Sequence, residues 1–576
     1  MKLTDEQQAI VACKVPRVLV RAAAGCAKTT TLVEYARARP EESFLYVAYN
    51  SAIAKAAATK FPSNVQCKTA HGMAWQVMVK RYGKKLGDFR APELAGKYGW
   101  PIRSCWAAAK TLKNFLNSAD KQIVLAHLPK DEKDIPPDAV SLAKALWKRM
   151  IDPNDELPIS HDGYLKLFQL ELGQNAMRRR ILFDEAQDSN PVTASMVASQ
   201  NTGMVVVGDE FQSIYAWRGA VNAMDAFEVD KVFTLAQSFR YGDDIALLAS
   251  KLLQDWRGND YRIRGLDRRT QFQVDRRQPH TAIFRTNGGM YAYGIQAMSM
   301  GTPYGFIGGV DERRLDFVRD VFRLFNRERD KVRTSSIRAF WNYQDYRDYA
   351  KQMGDPEDAL AVRLVDEYRY DIPMLLDQLV SRAQPVNPAE PGDLVALVTA
   401  HRSKGLEFDR VVLHDDFSTL EVTENELGEL EGPDPQEVNL HYVAMTRARY
   451  AIDLSPQLRQ ALDDPPPEEF TETLRGARAA FVVGAAAQRA PAQVKTQTIP
   501  ADEWGFLARL IDQSGERGEK TGEVESDQAK AADCTNRDLS VKSWSDMSDD
   551  EKAEDFRRRQ MDLFGSMPKP KFAFEA

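Results

Sequence analysis

The sequence predicts an α/β fold in which helices cover parallel sheets, because short apolar runs alternate with helical stretches in two separate regions. In the first region, residues 1–75, strand-like runs stand at Arg17–Val20 and Ser43–Tyr49, with a helical stretch between them. The second region covers 223–305 and resumes over 391–488. This alternation is typical of sheets built from β-α-β units.

The chain is also predicted to contain several domains, because 576 residues are too many for a single core. Two stretches that interrupt the alternating regions have a helical pattern, and the residues after 488 are rich in alanine, glutamine and charge, a composition typical of poor order. The predicted division is a first sheet domain (1–75 plus 175–222), a helical insertion (76–174), a second sheet domain (223–305 plus 391–488), a short helical insertion (306–390) and a mostly flexible tail (489–576).

Composition excludes several classes of protein. Hydrophobic residues make up 43% and charged residues 28%, as in an ordinary globular protein. We expect no membrane association, since no apolar run approaches the ~18 residues of a span and the N-terminus lacks a signal-peptide core. Five cysteines without CxxC spacing favour reduced thiols in a cytoplasm, and the formal net charge of -6 still permits a local basic groove.

The stretch RAAAGCAKTTTL, Arg21–Leu32, resembles a phosphate-binding loop. It follows an apolar run and ends in Lys28, Thr29 and Thr30, as the pattern G-x-x-x-x-G-K-[ST] requires. Both framing glycines are replaced by alanine, at Ala22 and Ala27, while Gly25 and Cys26 lie inside the loop. Taken alone, this pattern is a weak signal for a nucleotide site.

A second motif, ILFDEAQD, strengthens the hypothesis. An apolar run delivers Asp184 and Glu185 to the carboxyl end of a strand, where open α/β sheets place ligands. Phosphoryl transfer needs one carboxylate to hold Mg²⁺ and another to orient the attacking water. Asp184, together with Thr29, suits the metal and Glu185 suits the water. The alternative is a charged turn after a buried strand.

The third motif, VVVGDEFQSIYAWRGA, adds a polar group and two aromatic residues. Gln212 would bridge a γ-phosphate and a bound water. Tyr215 and Trp217 offer flat faces on which unpaired bases stack, each worth ~1–3 kcal/mol. Core packing is the alternative for the two aromatic residues.

With these motifs the chain resembles a superfamily-1 helicase of the UvrD/Rep/PcrA type, and most resembles the helicase portion of the F-box DNA helicases. The matching segments run in family order from Leu3 to Arg449: LTDEQQAIV, LYVAYNSAIAKAAATKF, CKTAHGMAW, HDGYLKLFQL, LAQSFRYG, AIFRTN, LVTAHRSKGLEFDRVVL and EVNLHYVAMTRAR. HDGYLKLFQL is associated with the F-box helicases in particular.

The resemblance implies a role for each matching residue. Catalytic roles fall to Lys28, Asp184, Glu185, Gln212, Arg240 and Arg447, the two arginines acting at the γ-phosphate. ATP contacts fall to Gln7, Gly25, Cys26, Ala27, Lys28, Thr29, Thr30, Phe239 and Glu407, and DNA contacts to Asn50, Thr69, His71, Tyr215, Trp217, Arg285, Thr399 and His401.

The family's architecture would give this chain two RecA-like P-loop NTPase motor domains, with ATP and Mg²⁺ in the cleft between them. Residues 76–174 would be the first accessory domain and 306–390 a reduced second one. The implied activity is ATP-dependent 3′→5′ movement along single-stranded DNA and unwinding at single-strand/duplex junctions, in replication, repair or recombination control. Stripping recombinase filaments from DNA is a further role that the F-box relatives suggest.

Ala27 is the main departure from the family pattern, because glycine is expected directly before Lys28. Glycine serves where the backbone needs a positive φ, and an alanine held there costs on the order of 1 kcal/mol. We expect a weakened but active nucleotide site. A slow or ATP-switched DNA-binding scaffold is the alternative, and a helicase–nuclease fusion ranks last because the tail contains no convincing nuclease cluster.

The tail contains one further motif. Gln560, Met561, Asp562, Leu563 and Phe564 resemble the Q-L-x-L-F peptide by which bacterial proteins dock on the replication sliding clamp. In such docking Leu563 and Phe564 fill an apolar pocket. The alternative is a short helix that packs on the body of the protein. Clamp docking would indicate a bacterial, phage or plasmid setting.

Overall fold

The computed structural model describes residues 2–129, 135–171, 177–215, 224, 227–353, 356–388, 392–425 and 428–486. Its strands are β1 Arg17–Ala22, β2 Phe44–Ala48, β3 Val65–Thr69, β4 Arg180–Phe183, β5 Met204–Gly208, β6 Lys231–Leu235, β7 Gln237–Gly242, β8 Arg264–Leu266, β9 His280–Phe284, β10 Tyr304–Phe306, β11 Val395–Thr399, β12 Phe408–Leu413, β13 Thr423–Glu424, β14 Leu430–Glu431 and β15 Ala448–Asp453.

The helices, in chain order, are α1 Asp5–Val11, α2 Lys28–Arg37, α3 Ser51–Ala58, α4 Ala70–Tyr82, α5 Ala91–Tyr98, α6 Ile102–Leu116, α7 Ala139–Ile151, α8 His161–Glu171, α9 Pro191–Ala198, α10 Asp243–Arg257, α11 Asn287–Ser299, α12 Glu312–Phe325, α13 Ser335–Arg338, α14 Tyr343–Met353, α15 Pro356–Tyr368, α16 Ile372–Arg382, α17 Ala400–Ser403, α18 Pro435–Met445, α19 Pro456–Asp463 and α20 Glu468–Ala486. The chain forms two compact units.

Unit 1 comprises residues 1–270, 419–446 and 460–499. Its sheet has the strand order β3-β2-β4-β5-β1-β6, and every pair in it is parallel. The central strands β2 and β5 are buried along their whole length, which explains their continuous apolar sequences. Because parallel strands end at the same edge, the residues that follow β1, β4 and β5 come together there.

The boundary of the first sheet differs from the predicted one at residue 222. Strand β6 lies beyond that boundary, yet it pairs with β1 from Val18 opposite Lys231 to Ala22 opposite Leu235. Residues 419–446, which contain α18, also belong to unit 1. The contacts responsible join residues far apart in sequence, so a pattern read along the chain does not reveal them.

The described residues of 76–174 are mainly helical, with α5–α8 and most of α4. Helix α6 buries a stripe that includes Cys105, Ala108, Leu112 and Phe115, which explains its amphipathic sequence. These side chains share one core with sheet residues such as Phe183. The helical segment is therefore anchored on the sheet.

Unit 2 comprises residues 271–418, 447–459 and 500–576, of which those after 486 lie outside the described residues. Its parallel sheet has the order β10-β11-β9-β12-β15. Helices α12–α16 fill residues 312–382, and their apolar faces share a core with β9, β10 and β11. The predicted α/β class with parallel sheets is confirmed. Among the described residues, no helix has the length and apolar composition needed to cross a membrane.

Candidate functional site

The loop between β1 and α2 (residues 23–27, called the phosphate loop below) is the one predicted to bind phosphate. Gly25 has φ 77°, and a Cβ there would lie 2.6 Å from Ser238 Oγ and 2.9 Å from Arg240 Cβ, so this position needs glycine for both conformation and space. Ala27 offers no side-chain cap to α2. The N-terminal amides of such a helix are suited to bind an anion.

Ala27 has φ 54° and ψ 42°, the left-handed conformation expected of the glycine that it replaces. Ala27 is therefore held in a backbone conformation that strains an L-residue. Glu185, which follows β4 in the same sheet, is strained in the same way, with φ 52° and ψ 42°. Strain of this kind concentrates at functional sites because the surrounding contacts hold it in place.

Thr29 and Asp184, the two residues predicted to hold Mg²⁺, are in direct contact. The Thr29 hydroxyl donates to Asp184 Oδ2 at 2.8 Å, and the Tyr46 hydroxyl donates to the same oxygen at 2.9 Å. Burial, followed by the Glu185 carboxylate, raises the pKa of Asp184. A divalent cation beside Asp184 would favour its charged form.

Lys28 lies beside the predicted water-orienting carboxylate, with Nζ 3.5 Å from Glu185 Oε1. Gln187 Nε2 donates to the other oxygen, Glu185 Oε2, at 2.6 Å. Burial alone would lower the pKa of Lys28, but the carboxylates of Glu185, Asp209 and Asp184 raise it. Lys28 therefore keeps its positive charge although it is buried in the cluster.

Gln212 reaches the same cluster through Asp209, a buried residue that directly follows β5. The Gln212 amide and the Tyr442 hydroxyl both donate to Asp209 Oδ2, the latter at 3.2 Å. The Asp209 N–H donates to Gln187 Oε1 at 3.0 Å, which links Asp209 to Glu185. Burial raises the pKa of Asp209 to about 6, although Lys28 and the hydrogen bonds oppose the shift.

The remaining ATP candidates of unit 1 lie around the loop. Phe239 donates its N–H to Gly25 O at 2.9 Å, and Arg240 Nη1 donates to Thr446 O at 3.2 Å. Gln7 is buried and donates to Thr31 Oγ1 at 3.0 Å. Cys26 is also buried, which raises the pKa of its thiol, and Thr30 lies in the first turn of α2.

Five predicted site residues belong to unit 2. Arg447 is fully buried and donates to Leu406 O at 3.2 Å, while Glu407 is exposed and lies 3.5 Å from Arg449. Thr399 caps α17 by accepting from the Arg402 N–H, and His401 lies on that helix. The Arg285 N–H donates to Asp416 Oδ1 at 2.8 Å.

The DNA candidates of unit 1 follow neighbouring strands of its sheet. Asn50 comes after β2 and caps α3, whereas Thr69 ends β3 and caps α4. His71 Nε2 lies 3.6 Å from Asp162 Oδ1. The Tyr215 and Tyr49 rings are nearly parallel, at 12°, with centroids 6.4 Å apart. Trp217 and the clamp-like peptide 560–564 lie outside the described residues.

Two protein-family models match the sequence of this chain. The family model of the UvrD/REP helicase N-terminal domain matches residues 164–230, and that of the UvrD-like helicase C-terminal domain matches residues 237–457. Together these matches cover half of the chain. The chain belongs to the UvrD-like helicases. The resemblance seen in the sequence is thereby confirmed.

Individual relatives of this UvrD-like helicase include two F-box helicases. It is 31% identical over 507 residues to F-box DNA helicase 1 of Gallus gallus, with 80% of this chain and 50% of the relative covered. It is 29% identical over 509 residues to F-box DNA helicase protein 1 of Schizosaccharomyces pombe, with 79% and 57% covered. The chain thus spans about half the length of these relatives. A solved PRRSV helicase matches with a TM-score of 0.26 and 12% identity over 80% of this chain and 55% of that chain, which is too weak to inform the fold.

The residues around this UvrD-like cluster fit Mg²⁺ bound together with a phosphate. Mg²⁺ prefers oxygen ligands and usually takes only one or two from protein carboxylates. The Thr29 hydroxyl and the Asp184 carboxylate supply such oxygens. Within the described ranges, no group of three or more His, Cys, Asp or Glu residues forms a self-sufficient metal site. A Mg²⁺ ion held by these two side chains would complete its coordination with water and phosphate oxygens.

Several contacts in the cluster involve residues to which the sequence analysis gives no role. Tyr46 contacts Asp184, Gln187 joins Glu185 to Asp209, Tyr442 contacts Asp209, and Tyr49 faces Tyr215. Two of these residues stand beside predicted ones, Gln187 in DEAQD and Tyr49 directly before Asn50. Tyr46 and Tyr442 sit in apolar runs, so nothing local distinguishes them from core residues.

Proposed function

We propose that this chain is a DNA-dependent ATPase that moves along single-stranded DNA and unwinds duplex at junctions, in the 3′→5′ direction. The observation that carries the proposal is the meeting of Lys28, Thr29, Asp184 and Glu185 at one edge of the unit 1 sheet. These are the residue types that phosphoryl transfer to water requires.

Each side chain has a distinct task in the proposed reaction. Lys28 would neutralise phosphate charge. Thr29 and Asp184 would hold Mg²⁺, which would neutralise charge on the transferring phosphoryl group. Glu185, fixed by the Gln187 amide, orients the attacking water. Arg240 is the unit 1 arginine proposed for the γ-phosphate, and Arg447 is kept from the family pattern as the second.

The proposed DNA path uses the aromatic pair and the strand ends of unit 1. Tyr215 follows the Gln212 turn by three residues, so a change at the nucleotide would reach a base-stacking residue through a short segment. Asn50 and Thr69 cap helices at the same sheet edge, where they would contact the backbone of the strand. Trp217, Arg285, Thr399 and His401 complete the proposed set.

For the biological setting we propose replication, repair or recombination control in a bacterial, phage or plasmid system, within the cytoplasm. The supporting feature is the clamp-like peptide 560–564. The F-box relatives add recombinase filaments as a candidate substrate.

A second candidate is a DNA-binding scaffold that uses ATP as a switch. The left-handed Ala27 favours it, because a strained residue directly before Lys28 would slow the movements of the loop during turnover. This candidate predicts DNA binding without strong stimulation of ATP hydrolysis.

The deciding experiment measures ATP hydrolysis with and without single-stranded DNA for wild type, Lys28→Ala and Glu185→Gln. We expect strong stimulation in wild type and its loss in both variants, while Lys331→Ala, at an exposed lysine paired with Glu328 in unit 2, retains it. Retained turnover in Lys28→Ala or Glu185→Gln would contradict the site assignment. Intact DNA binding without stimulation in wild type would favour the scaffold.

A further inference from the structure

Both backbone polar groups of Ala24, in the phosphate loop, are hydrogen-bonded to tyrosine hydroxyls. Its N–H donates to the Tyr442 hydroxyl at 2.8 Å, and its carbonyl accepts from the Tyr241 hydroxyl at 3.0 Å. All three residues are essentially inaccessible to solvent. A buried N–H without a partner is costly, so these bonds fix the place of the loop.

The Tyr442 hydroxyl makes a second bond, to Asp209. It donates its single proton to Asp209 Oδ2 at 3.2 Å while accepting from Ala24. Asp209 in turn caps the 210–212 turn by accepting from the Phe211 N–H, and the Gln212 amide donates to its carboxylate. Hydrogen bonds therefore run without interruption from the loop to Gln212.

The same aspartate reaches the water-orienting carboxylate. The Asp209 N–H donates to Gln187 Oε1, and Gln187 Nε2 donates to Glu185. The hydrogen bonds thus connect Ala24 to Gln212 and Glu185, the two polar groups proposed to act on the attacking water. All of these bonds lie within unit 1; the one between Asp209 and Gln187 is buried, and the one between Gln187 and Glu185 is partly buried.

We propose that Tyr442 is a positioning residue, whose hydroxyl ties the phosphate loop to the turn that carries Gln212. The inference rests on the proposed ATPase function for its kinetic consequence, although the hydrogen-bond relay exists independently of turnover. Tyr442 would act through Ala24 and Asp209, the two residues to which its hydroxyl is hydrogen-bonded.

The first test reads the relay without any catalysis. Hydrogen exchange at the Ala24 amide, measured in the absence of nucleotide, should be faster in Tyr442→Phe than in wild type because the acceptor is removed. Tyr304→Phe is the matched control, since Tyr304 is also buried and its hydroxyl donates to Leu379 O at 2.8 Å in unit 2. Unchanged exchange at Ala24 in Tyr442→Phe would overturn the proposal.

The second test separates catalysis from binding. Tyr442→Phe should lower kcat about tenfold, the effect of losing one hydrogen bond to a charged group when the catalytic geometry depends on it. Its KM for ATP should stay within about twofold, because Gln7, Phe239 and Lys28 are untouched. A rise in KM at unchanged kcat would contradict positioning.

A double-mutant comparison then tests whether Tyr442 acts through Asp209. If it does, Tyr442→Phe combined with Asp209→Asn should be no slower than the slower single variant. If the double variant instead lowers kcat by the product of the two single-variant factors, the relay is refuted. Should Tyr442→Phe fail to fold, Asp209→Asn tests the relay instead. It weakens the hydrogen bond that Asp209 accepts from Tyr442, and it should therefore also speed exchange at the Ala24 amide.

The outcomes distinguish this inference from the proposed function. If wild type does not hydrolyse ATP, but Ala24 exchange is faster in Tyr442→Phe than in wild type, the relay is supported and the proposed ATPase is refuted. DNA-stimulated hydrolysis in wild type, with Tyr442→Phe identical to wild type in exchange and kcat, would refute the relay and leave the ATPase standing.

Discussion

Replacing Ala27 by glycine tests whether the alanine in the phosphate loop costs stability without disabling the site. Ala27 stands at φ 54° and ψ 42°, a conformation that costs an L-residue roughly 1–2 kcal/mol and glycine nothing comparable. Glycine lowers the free energy of unfolding by about 0.4–1 kcal/mol, because it gives the unfolded chain more conformational freedom. The expected net gain in the free energy of unfolding is therefore about 0.5–1 kcal/mol.

Thermal unfolding of Ala27→Gly measures that gain, and the expected rise in Tm is about 1–3 °C. Arg327→Gly is the matched control, because Arg327 also has a positive φ, 61°, but lies in unit 2 after α12. Both variants should be stabilised by similar amounts. An unchanged or lower Tm in Ala27→Gly would refute the strain argument.

The ATPase of Ala27→Gly decides between the two proposed functions. If the loop keeps the left-handed conformation with and without ATP, the strain at Ala27 is the same in the free and the ATP-bound protein. Its removal then leaves the Kd for ATP and kcat within about threefold of wild type. Arg327→Gly should match wild type in both. A gain in kcat/KM of about tenfold or more would show that alanine restrains the loop during turnover, as the scaffold hypothesis requires.

Three further predictions concern other parts of the chain. The pKa of Asp209 is about 6 in the folded protein and ~4 in the unfolded chain, so the shift adds stability below pH ~4 that is lost as the pH rises through 6. The Tm of wild type should therefore fall relative to the Tm of Asp209→Asn between pH 4 and 7. A constant or reversed difference between the two Tm values would contradict this. Trp217→Ala should weaken the stimulation by single-stranded DNA more than ATP binding, whereas Tyr450→Ala, at an exposed tyrosine of unit 2, should affect neither. Deletion of 560–564 should abolish binding to a bacterial sliding clamp and leave ATP hydrolysis unchanged; retained clamp binding would exclude the peptide as the docking element.

Much of the fold could be predicted because its cause lies in local pattern. The buried strands β2 and β5 are continuous apolar runs, and such runs between helical stretches indicate a parallel sheet wherever they occur. The position of β6 beside β1 could not be predicted, because β6 is partly exposed and its place depends on pairing across more than 200 residues.

The sequence by itself determined which residue types the candidate site contains. Lys28-Thr29, Asp184-Glu185 and the alanine at position 27 are each recognised from residues adjacent in the chain. Only the tertiary structure decided which other groups hold these side chains in place. Tyr442 is separated from Ala24 by 418 positions, and it stands in a run of residues typical of any buried helix. Its proposed role rests on one hydroxyl within hydrogen-bond distance of two partners, and such distances arise from packing between segments, which no spacing along the chain encodes.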